Sequence, residues 1–150
     1  MQVDVQARRA RWAVAGMFMA NGFIMGAWAP QIPLLLPRHG IDESTLGLLI
    51  LVLGFGAVSA MLFSGRLIAI LGGRAVLTMF SLAAIPVLPL VVLAPNLWLL
   101  TPILAAFGAV VGCMDVAMNA QAVEGMLARL TIAVELANDV GDLRTIEAWL

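Results

Sequence analysis

Residues 75–114 read AVLTMFSLAAIPVLPLVVLAPNLWLLTPILAAFGAVVGCM, and this charge-free stretch decides the fold class. A helix rises about 1.5 Å per residue, so a single helix of this length would measure about 60 Å, about twice the thickness of a hydrocarbon core. Ala94-Pro95-Asn96 supplies a turn in the middle of the stretch. We therefore predict two membrane-spanning helices here, over 75–93 and 97–123.

Two more charge-free runs, 12–37 and 44–65, are each long enough to cross a membrane. Near the far end of the first run, Pro30 and Pro33 lack backbone N–H donors and predict a bend. After the second run, the pair Gly72-Gly73 breaks the helix and separates it from the next one.

Asp42 and Ser44 are both residue types that cap helix N-termini, and either can begin the second helix. The sequence thus predicts an all-α membrane protein with four transmembrane helices within residues 12–124. The predicted helices are 12–36, 45–70, 75–93 and 97–123.

The composition of the 150 residues supports the same fold class. Hydrophobic residues make up 63% and charged residues only 11%, which leaves too little polar surface to solvate a globule of this size. The lipid bilayer is therefore an expected partner, and the net charge of −1 gives no indication of nucleic acid binding. Cys113 is the only cysteine, so a disulfide within the chain is excluded.

Groups of side chains that carry enzyme chemistry are missing from the sequence. It contains no nucleophile with a nearby base, no metal-spaced set of His or Cys and no phosphate-binding loop. We expect no enzyme activity, no cofactor and no metal site.

The distribution of arginines predicts the orientation in the membrane. Positive charges concentrate in cytoplasmic loops, and this topology places only Arg38 on the outer side. An even number of spans brings the C-terminus back to the side of the N-terminus, so both termini are predicted in the cytoplasm, with 1–11 as an N-terminal segment. The predicted cytoplasmic arginines are Arg8, Arg9, Arg11, Arg66, Arg74 and Arg129.

Residues 125–150 differ from the spans because they carry charges throughout. Arg129 and Glu135 begin a series that continues to Glu147 and makes a fifth membrane helix unfavourable. Two interpretations are open: an amphipathic segment on the cytoplasmic face of the membrane, or sequence foreign to the rest, as a truncated or frame-disrupted gene would produce. The apolar residues at helical spacing are Leu136, Val140, Leu143, Ile146 and Leu150.

Polar residues at membrane depth are the candidates for function. Asn21 lies near the middle of the first predicted helix, while Asp115 and Asn119 are four residues apart and share a face of the fourth. A carboxylate costs about 3 kcal/mol in hydrocarbon, so we expect Asp115 to face a bundle interior or a watery cavity, as an ion-coupling or substrate site. Trp28 and Gln31 lie beside the predicted bend at the outer end of helix one.

A purely structural role for Asp115 also stays open. It lies about 27 Å along the helix from Leu97, close to the cytoplasmic headgroups, where it would be a solvated or ion-paired helix end. Glu124 and Arg129 are expected at the interface, and His39 in a solvated loop.

Small residues four apart predict close packing between helices, since they let two backbones approach. The pairs are Gly22 with Gly26, Ala60 with Ser64, and Gly108 with Gly112.

Residues 65–74, GRLIAILGGR, resemble the loop signature between helices two and three of the major facilitator superfamily, which runs Gly-x-x-x-Asp-Arg-x-Gly-Arg-Arg. Glycines permit a tight turn there, and an arginine holds the loop at the cytoplasmic surface. Ala69 and Ile70 stand where the family has its acidic and following basic residues, so those two charges are absent here. The matching residues are Gly65, Gly72 and Arg74.

Two further stretches carry the resemblance: WAPQIP at 28–33 and GCMDVAMNAQAVE at 112–124. They are similar to bacterial inner-membrane transporters near the fucose-permease-like branch of the superfamily. The resemblance covers roughly residues 10–125 and implies the first four helices of a twelve-helix fold, in a bacterial inner membrane.

The resemblance implies secondary transport of a small solute by alternating access. Helices one and four line the central cavity in the family, and a sugar or related polar metabolite is the implied substrate class, with proton coupling open. Four helices alone cannot close such a cavity, so a missing C-terminal portion or a homo-oligomer is implied. The implied pathway residues are Asn21, Gln31, Asp115 and Asn119, with Trp28 beside them.

Two other classes of protein stay open. A small four-helix multidrug exporter, active as a dimer, would match the length and the number of spans. Such exporters resemble one another in an acidic residue within the first helix, which residues 12–36 lack. A non-transporting membrane module that assembles with a partner subunit would use the same small-residue faces.

Overall fold

A computed structural model describes residues 2–147, and within them the side chains of 12–135, 137 and 138. The described residues form helices and no strand. The elements are α1 (Gln2–Trp28), a short 3₁₀ turn (Ala29–Gln31), α2 (Leu35–His39), α3 (Glu43–Leu71), α4 (Gly73–Leu93) and α5 (Leu97–Glu147).

Four of these segments are long and apolar enough to cross a membrane. They are Trp12–Gln31, Glu43–Leu71, Gly73–Leu93 and Leu97–Glu135. The predicted all-α membrane protein with four transmembrane helices is thereby confirmed.

The C-terminal end of the first span differs from the predicted helix 12–36. α1 ends at Trp28, and the chain continues through the 3₁₀ turn into the short helix α2. Pro30 and Pro33 supply no N–H donor to the α-helical pattern, and Ile32 instead donates to the carbonyl of Ala29 at 3.3 Å. The prolines therefore break the helix where only a bend was predicted.

Local chemistry sets the two turns that flank α3. Asp42 is the N-cap, and its carboxylate accepts hydrogen bonds from the hydroxyl of Thr45 and, at 3.0 Å, from the Thr45 backbone N–H. These two bonds lower the pKa of the fully exposed Asp42 below its usual value of 3.8. At the other end Gly72 adopts φ +82°, a conformation that favours glycine, and separates α3 from α4.

α5 is the central helix, and α1, α3 and α4 all pack against it. Its Leu100, Phe107 and Met114 side chains are almost completely buried. The opposite surfaces of the surrounding helices are apolar and exposed, as in Phe23 and Leu62, which suits contact with lipid.

Glycines bring the backbones of α3 and α5 together. A Cβ atom added at Gly108 would lie 2.0 Å from the carbonyl oxygen of Leu53, and one added at Gly112 would lie 2.6 Å from that of Ala57. On the facing helix, a Cβ atom at Gly56 would lie 2.1 Å from the carbonyl oxygen of Ala105. The predicted close packing at Gly108 and Gly112 is confirmed.

The same prediction is wrong for Gly22 and Gly26 within this chain. A Cβ atom at either position would have no neighbour within 4 Å. α1 contacts α5 through the side that carries Asn21, and the two glycines lie about 100° and 140° around the helix from it. Spacing alone could not show which side of α1 faces the bundle.

The last helix extends well beyond the predicted end at residue 123. No proline follows Pro102, and α5 continues without a break to Glu147. Every described side chain from Val123 to Asn138 is exposed, so this part of α5 leaves the bundle.

Several residues named from the sequence lie outside the described side chains, and predictions about them stay predictions. They are Arg8, Arg9, Arg11, Leu136, Val140, Leu143, Ile146 and Leu150.

Candidate functional site

A hydrogen bond joins two of the polar residues predicted as candidates in the first and last spans. The side-chain N–H of Asn21 on α1 donates to the Asp115 carboxylate on α5, with Nδ2 and Oδ1 2.5 Å apart. Both side chains are half-buried. The fold thus brings together two residues that are 94 positions apart in the chain.

The carbonyl oxygen of the Asn21 amide is buried and has no hydrogen-bond partner among the described residues. An amide carries both a donor and an acceptor. An ionised Asp115 accepts from the amide N–H, and a protonated Asp115 can donate its O–H to the amide oxygen if the amide turns over. Asn21 can therefore satisfy Asp115 in either protonation state.

Asn119 lies one turn beyond Asp115, on the same face of α5. Its side-chain N–H donates to the backbone carbonyl of Asp115 at 2.8 Å, so it bonds its own helix and not the carboxylate. Both residues line an open groove of about 790 Å³ beside α3. The lining residues are Met61, Asp115, Val116, Asn119, Ala120, Val123 and Glu124.

Trp28 and Gln31 lie apart from this groove, at the C-terminal end of α1 and in the turn that follows it. The Trp28 side chain is only 6% exposed, and its ring packs edge-on against Phe107 with centroids 5.5 Å apart. It belongs to an apolar cluster with Leu35 and Leu104. Gln31 is half-buried in the 3₁₀ turn. The structure thus groups Asn21, Asp115 and Asn119 and leaves these two residues at a different level.

Sequence reasoning missed Ser81 on α4, which contacts residues that neighbour Asn21 and Asp115 in the chain. Its hydroxyl lies 3.4 Å from the sulfur of Met114 and 3.8 Å from that of Met17. Met17 precedes Asn21 by one turn, and Met114 precedes Asp115 directly. A hydroxyl in the middle of an apolar span was the available signal, since it needs a partner at that depth.

The loop signature lies at the N-terminal end of α4, opposite the turn at residues 94–96. Gly72 has the positive φ angle described above, while Gly65 and Arg74 are exposed. Gly73 is buried, and its neighbour is Gln121 of α5. A Cβ atom added at Gly73 would lie 2.6 Å from the Gln121 side-chain nitrogen. This contact places Gln121 of α5 level with the turn between α3 and α4.

That level gives the depth of Asp115. It precedes Gln121 by six residues, so it lies about 9 Å from the α3–α4 turn along the axis of α5.

Among the residues described, no three His, Cys, Asp or Glu side chains gather as a metal site would require.

Comparisons with known proteins support the resemblance seen in the sequence. The chain is 42% identical over 106 residues to an uncharacterized MFS-type transporter of Yersinia pestis, with 71% of this chain and 28% of that protein covered. It is 35% identical to an uncharacterized transporter of Sinorhizobium fredii and 34% identical to membrane protein MosC of Rhizobium meliloti, with 74% and 73% of this chain covered. These similarities support membership of the major facilitator superfamily.

The chain spans between a quarter and a third of the length of these curated relatives, namely 28%, 29% and 27%. No protein-family model matches the chain, and no solved structure matches it. The relatives named as transporters suggest a transporter role and are not named as enzymes.

Proposed function

We propose that this chain supplies the first four helices of a secondary transporter for a small solute, with Asn21 and Asp115 in its substrate or ion pathway. The observation that carries the proposal is the hydrogen bond between these half-buried side chains of two candidate membrane spans. The similarity to MFS-type transporters supports it, because helices one and four line the cavity in that family.

The depth of Asp115 favours a functional role over a solvated helix end. Asp115 lies about 9 Å from the α3–α4 turn along α5, within a candidate membrane span, and ionisable groups inside a span are costly and rare. Its one side-chain partner among the described residues is a neutral amide, so no positive charge compensates it. A proton or a solute that approaches through the groove would compensate the charge of this carboxylate.

The finer parts of the proposal follow the sequence. We infer a sugar or related polar metabolite as solute, proton coupling, a location near the fucose-permease-like branch, and a bacterial inner membrane with both termini in the cytoplasm. Trp28, Gln31 and Asn119 are included as supporting residues of the pathway.

Four helices leave the groove open on one side, so a C-terminal portion or a second copy would complete the cavity. A frame-disrupted gene is the proposed origin of residues 125–150, and encoding DNA that carries a family-like continuation in another reading frame would support it.

Uptake into proteoliposomes tests the proposal. Purified chain would be reconstituted and offered a panel of labelled sugars, with and without an inward proton gradient. If copies of the chain complete the cavity, uptake should depend on the gradient, be abolished in Asp115→Asn and be retained in Glu43→Gln, which removes an exposed carboxylate at the N-terminal end of α3.

Uptake that persists unchanged in Asp115→Asn would contradict the role of this carboxylate. Absence of uptake by well-inserted protein would contradict activity of the four helices alone. The same assay repeated with the rest of a relative co-expressed would then show whether Asp115 matters in the completed cavity.

A further inference from the structure

We propose that Ser81 of α4 is a positioning residue for the Asn21–Asp115 pair and acts through two methionine sulfur atoms. Its hydroxyl lies 3.4 Å from the Met114 sulfur on α5 and 3.8 Å from the Met17 sulfur on α1. One side chain of α4 thus contacts both helices that carry the pair. The inference rests on the proposed function only in taking this pair as part of the pathway.

The direction of the Ser81 hydroxyl differs from that of the other hydrogen-bonded hydroxyls within the spans. A serine or threonine in a helix can satisfy its hydroxyl with a carbonyl about one turn earlier on the same helix. Thr78 of α4 does so, at 2.9 Å from the carbonyl oxygen of Arg74. Ser81 has the same local option but reaches other helices, so its contacts depend on tertiary packing. The further hydroxyls that bond their own helix are those of Ser64, Thr101 and Thr131.

The two sulfur atoms belong to close neighbours of the pair. Met17 precedes Asn21 by four residues, which is one turn on the same face of α1, and Met114 directly precedes Asp115. The Met114 side chain is almost completely buried, and Met17 packs against the same apolar cluster. A hydroxyl in contact with both sulfurs therefore limits how far α1 can lie from α5, one turn away from the hydrogen bond.

Little of α1 is buried, so few contacts set its position against α5. Of its described side chains, Trp28 alone is buried, at the C-terminal end of the helix. Asn21 lies about 10 Å along the helix from Trp28, and attachment at that end alone would let α1 tilt at the level of the pair. Met17 lies on the other side of Asn21, so its contact with Ser81 supplies a second point of attachment.

This contact should matter more for the geometry of the pair than for the stability of the whole bundle. A thioether sulfur is a weak acceptor, and one hydroxyl donates to one of the two sulfurs at a time. The hydrogen bond between Asn21 and Asp115, in contrast, weakens steeply when its donor and acceptor leave alignment. Loss of the Ser81 hydroxyl should therefore appear in the strength of that bond.

A double-mutant cycle measured in two backgrounds tests this role. The coupling of Asn21→Leu with Asp115→Leu would be obtained from denaturant unfolding in detergent micelles, in the native chain and in Ser81→Ala. We expect the coupling, expressed as a ratio of unfolding equilibrium constants, to fall at least about threefold in Ser81→Ala. A serine that acts only through its own contacts would destabilise all four members of the cycle equally. An unchanged coupling would therefore overturn the proposal.

Thr78→Ala is the matched control, because it removes a hydroxyl of the same helix that bonds its own backbone. It should leave the coupling between Asn21 and Asp115 as it is in the native chain. An equal loss of coupling in Thr78→Ala and Ser81→Ala would overturn the assignment of this role to Ser81.

A methionine substitution tests the same contact without changing the serine. Met114→Leu removes the nearer sulfur at similar volume, so it should lower the coupling as Ser81→Ala does. Met118→Leu is its control, since Met118 is buried in the same cluster while the sulfur partners of Ser81 belong to Met17 and Met114. Equal coupling in the two leucine variants would contradict a role for the sulfur contact.

The side-chain amide of Asn21 gives a second readout that requires no unfolding. Its amide proton NMR signal can be identified by its loss in Asn21→Leu, and the position of this signal reports the hydrogen bond to Asp115. Ser81→Ala should move the signal toward its position in Asp115→Leu, whereas Thr78→Ala should not. A signal that stays in place in Ser81→Ala would overturn the proposal.

The positioning role and the transport role can fail separately. Absence of uptake together with a reduced coupling in Ser81→Ala would count against the proposed function and support the role of Ser81. Uptake that depends on Asp115 together with an unchanged coupling in Ser81→Ala would support the proposed function and overturn the role of Ser81.

Discussion

The contacts of α5 with α3 and with α1 are built from different chemistry. Against α3, glycines let the backbones touch, with Gly108 next to the Leu53 carbonyl. Against α1, long side chains bridge the helices, and the Asn21–Asp115 hydrogen bond is the polar contact. Backbone contact leaves no room for adjustment, whereas a single hydrogen bond can break and form again. The contact with α3 therefore depends on the absence of side chains, whereas the contact with α1 depends on particular side chains.

The largest expected effect comes from filling the backbone contact. Gly108→Ala places a Cβ atom 2.0 Å from a backbone oxygen that cannot rotate away, so it should lower the free energy of unfolding by about 2–3 kcal/mol. Denaturant unfolding of the purified chain in detergent micelles would measure this.

Gly22→Ala is the matched control for that substitution, because its Cβ atom would meet open space. It should be neutral or stabilise the helix by up to about 1 kcal/mol. Equal destabilisation by both substitutions would contradict the distinction between the two contacts.

A smaller effect is expected from breaking the polar contact. Asn21→Leu removes the donor to Asp115 and should cost about 1 kcal/mol, within the range measured for hydrogen bonds between membrane helices. A double-mutant cycle with Asp115→Leu isolates the pair, and we expect a coupling energy of similar size. A coupling energy near zero would mean that the hydrogen bond does not hold α1 to α5.

The smallest effect concerns acid, at the turn that begins α3. The hydrogen bonds from Thr45 hold the pKa of Asp42 below 3.8 in the folded chain, so their contribution is complete above that pH. It is lost as the pH falls through the lowered pKa, because a protonated cap is a weaker acceptor. The melting temperature of Asp42→Asn should therefore depend less on pH between about 4 and 2 than that of the native chain.

Glu43→Gln serves as the control for this measurement, since Glu43 is exposed and is not the cap. An unchanged pH profile in Asp42→Asn would contradict the role of the cap in acid stability.

Features that depend on near neighbours in the chain could be predicted from the sequence. The four spans follow from the lengths of the apolar runs, and the cap at Asp42 and the turn at Gly72 follow from the chemistry of a few adjacent residues. The break after Trp28 was underestimated, because proline spacing indicates a disruption but not whether neighbouring helices restore the missing hydrogen bonds.

The candidate site was predicted only as a set of separate polar residues. Asn21 and Asp115 were chosen because polar groups at membrane depth are costly. The amino-acid sequence does not show that their side chains are in contact. Trp28 was grouped with them because of its position near the bend, and the structure places its ring in the apolar cluster beside Phe107. Ser81 was overlooked because its partners are two sulfur atoms on other helices.

The sequence by itself determined the membrane class, the number of spans and the turns, because hydropathy and helix capping act over a few neighbouring residues. Only the tertiary structure decided which side of each helix is covered. Gly22 with Gly26 and Gly108 with Gly112 have the same spacing, yet one pair faces open space and the other faces a backbone. The physical reason is that packing depends on what another helix presents at that level, and that partner lies far away in the chain.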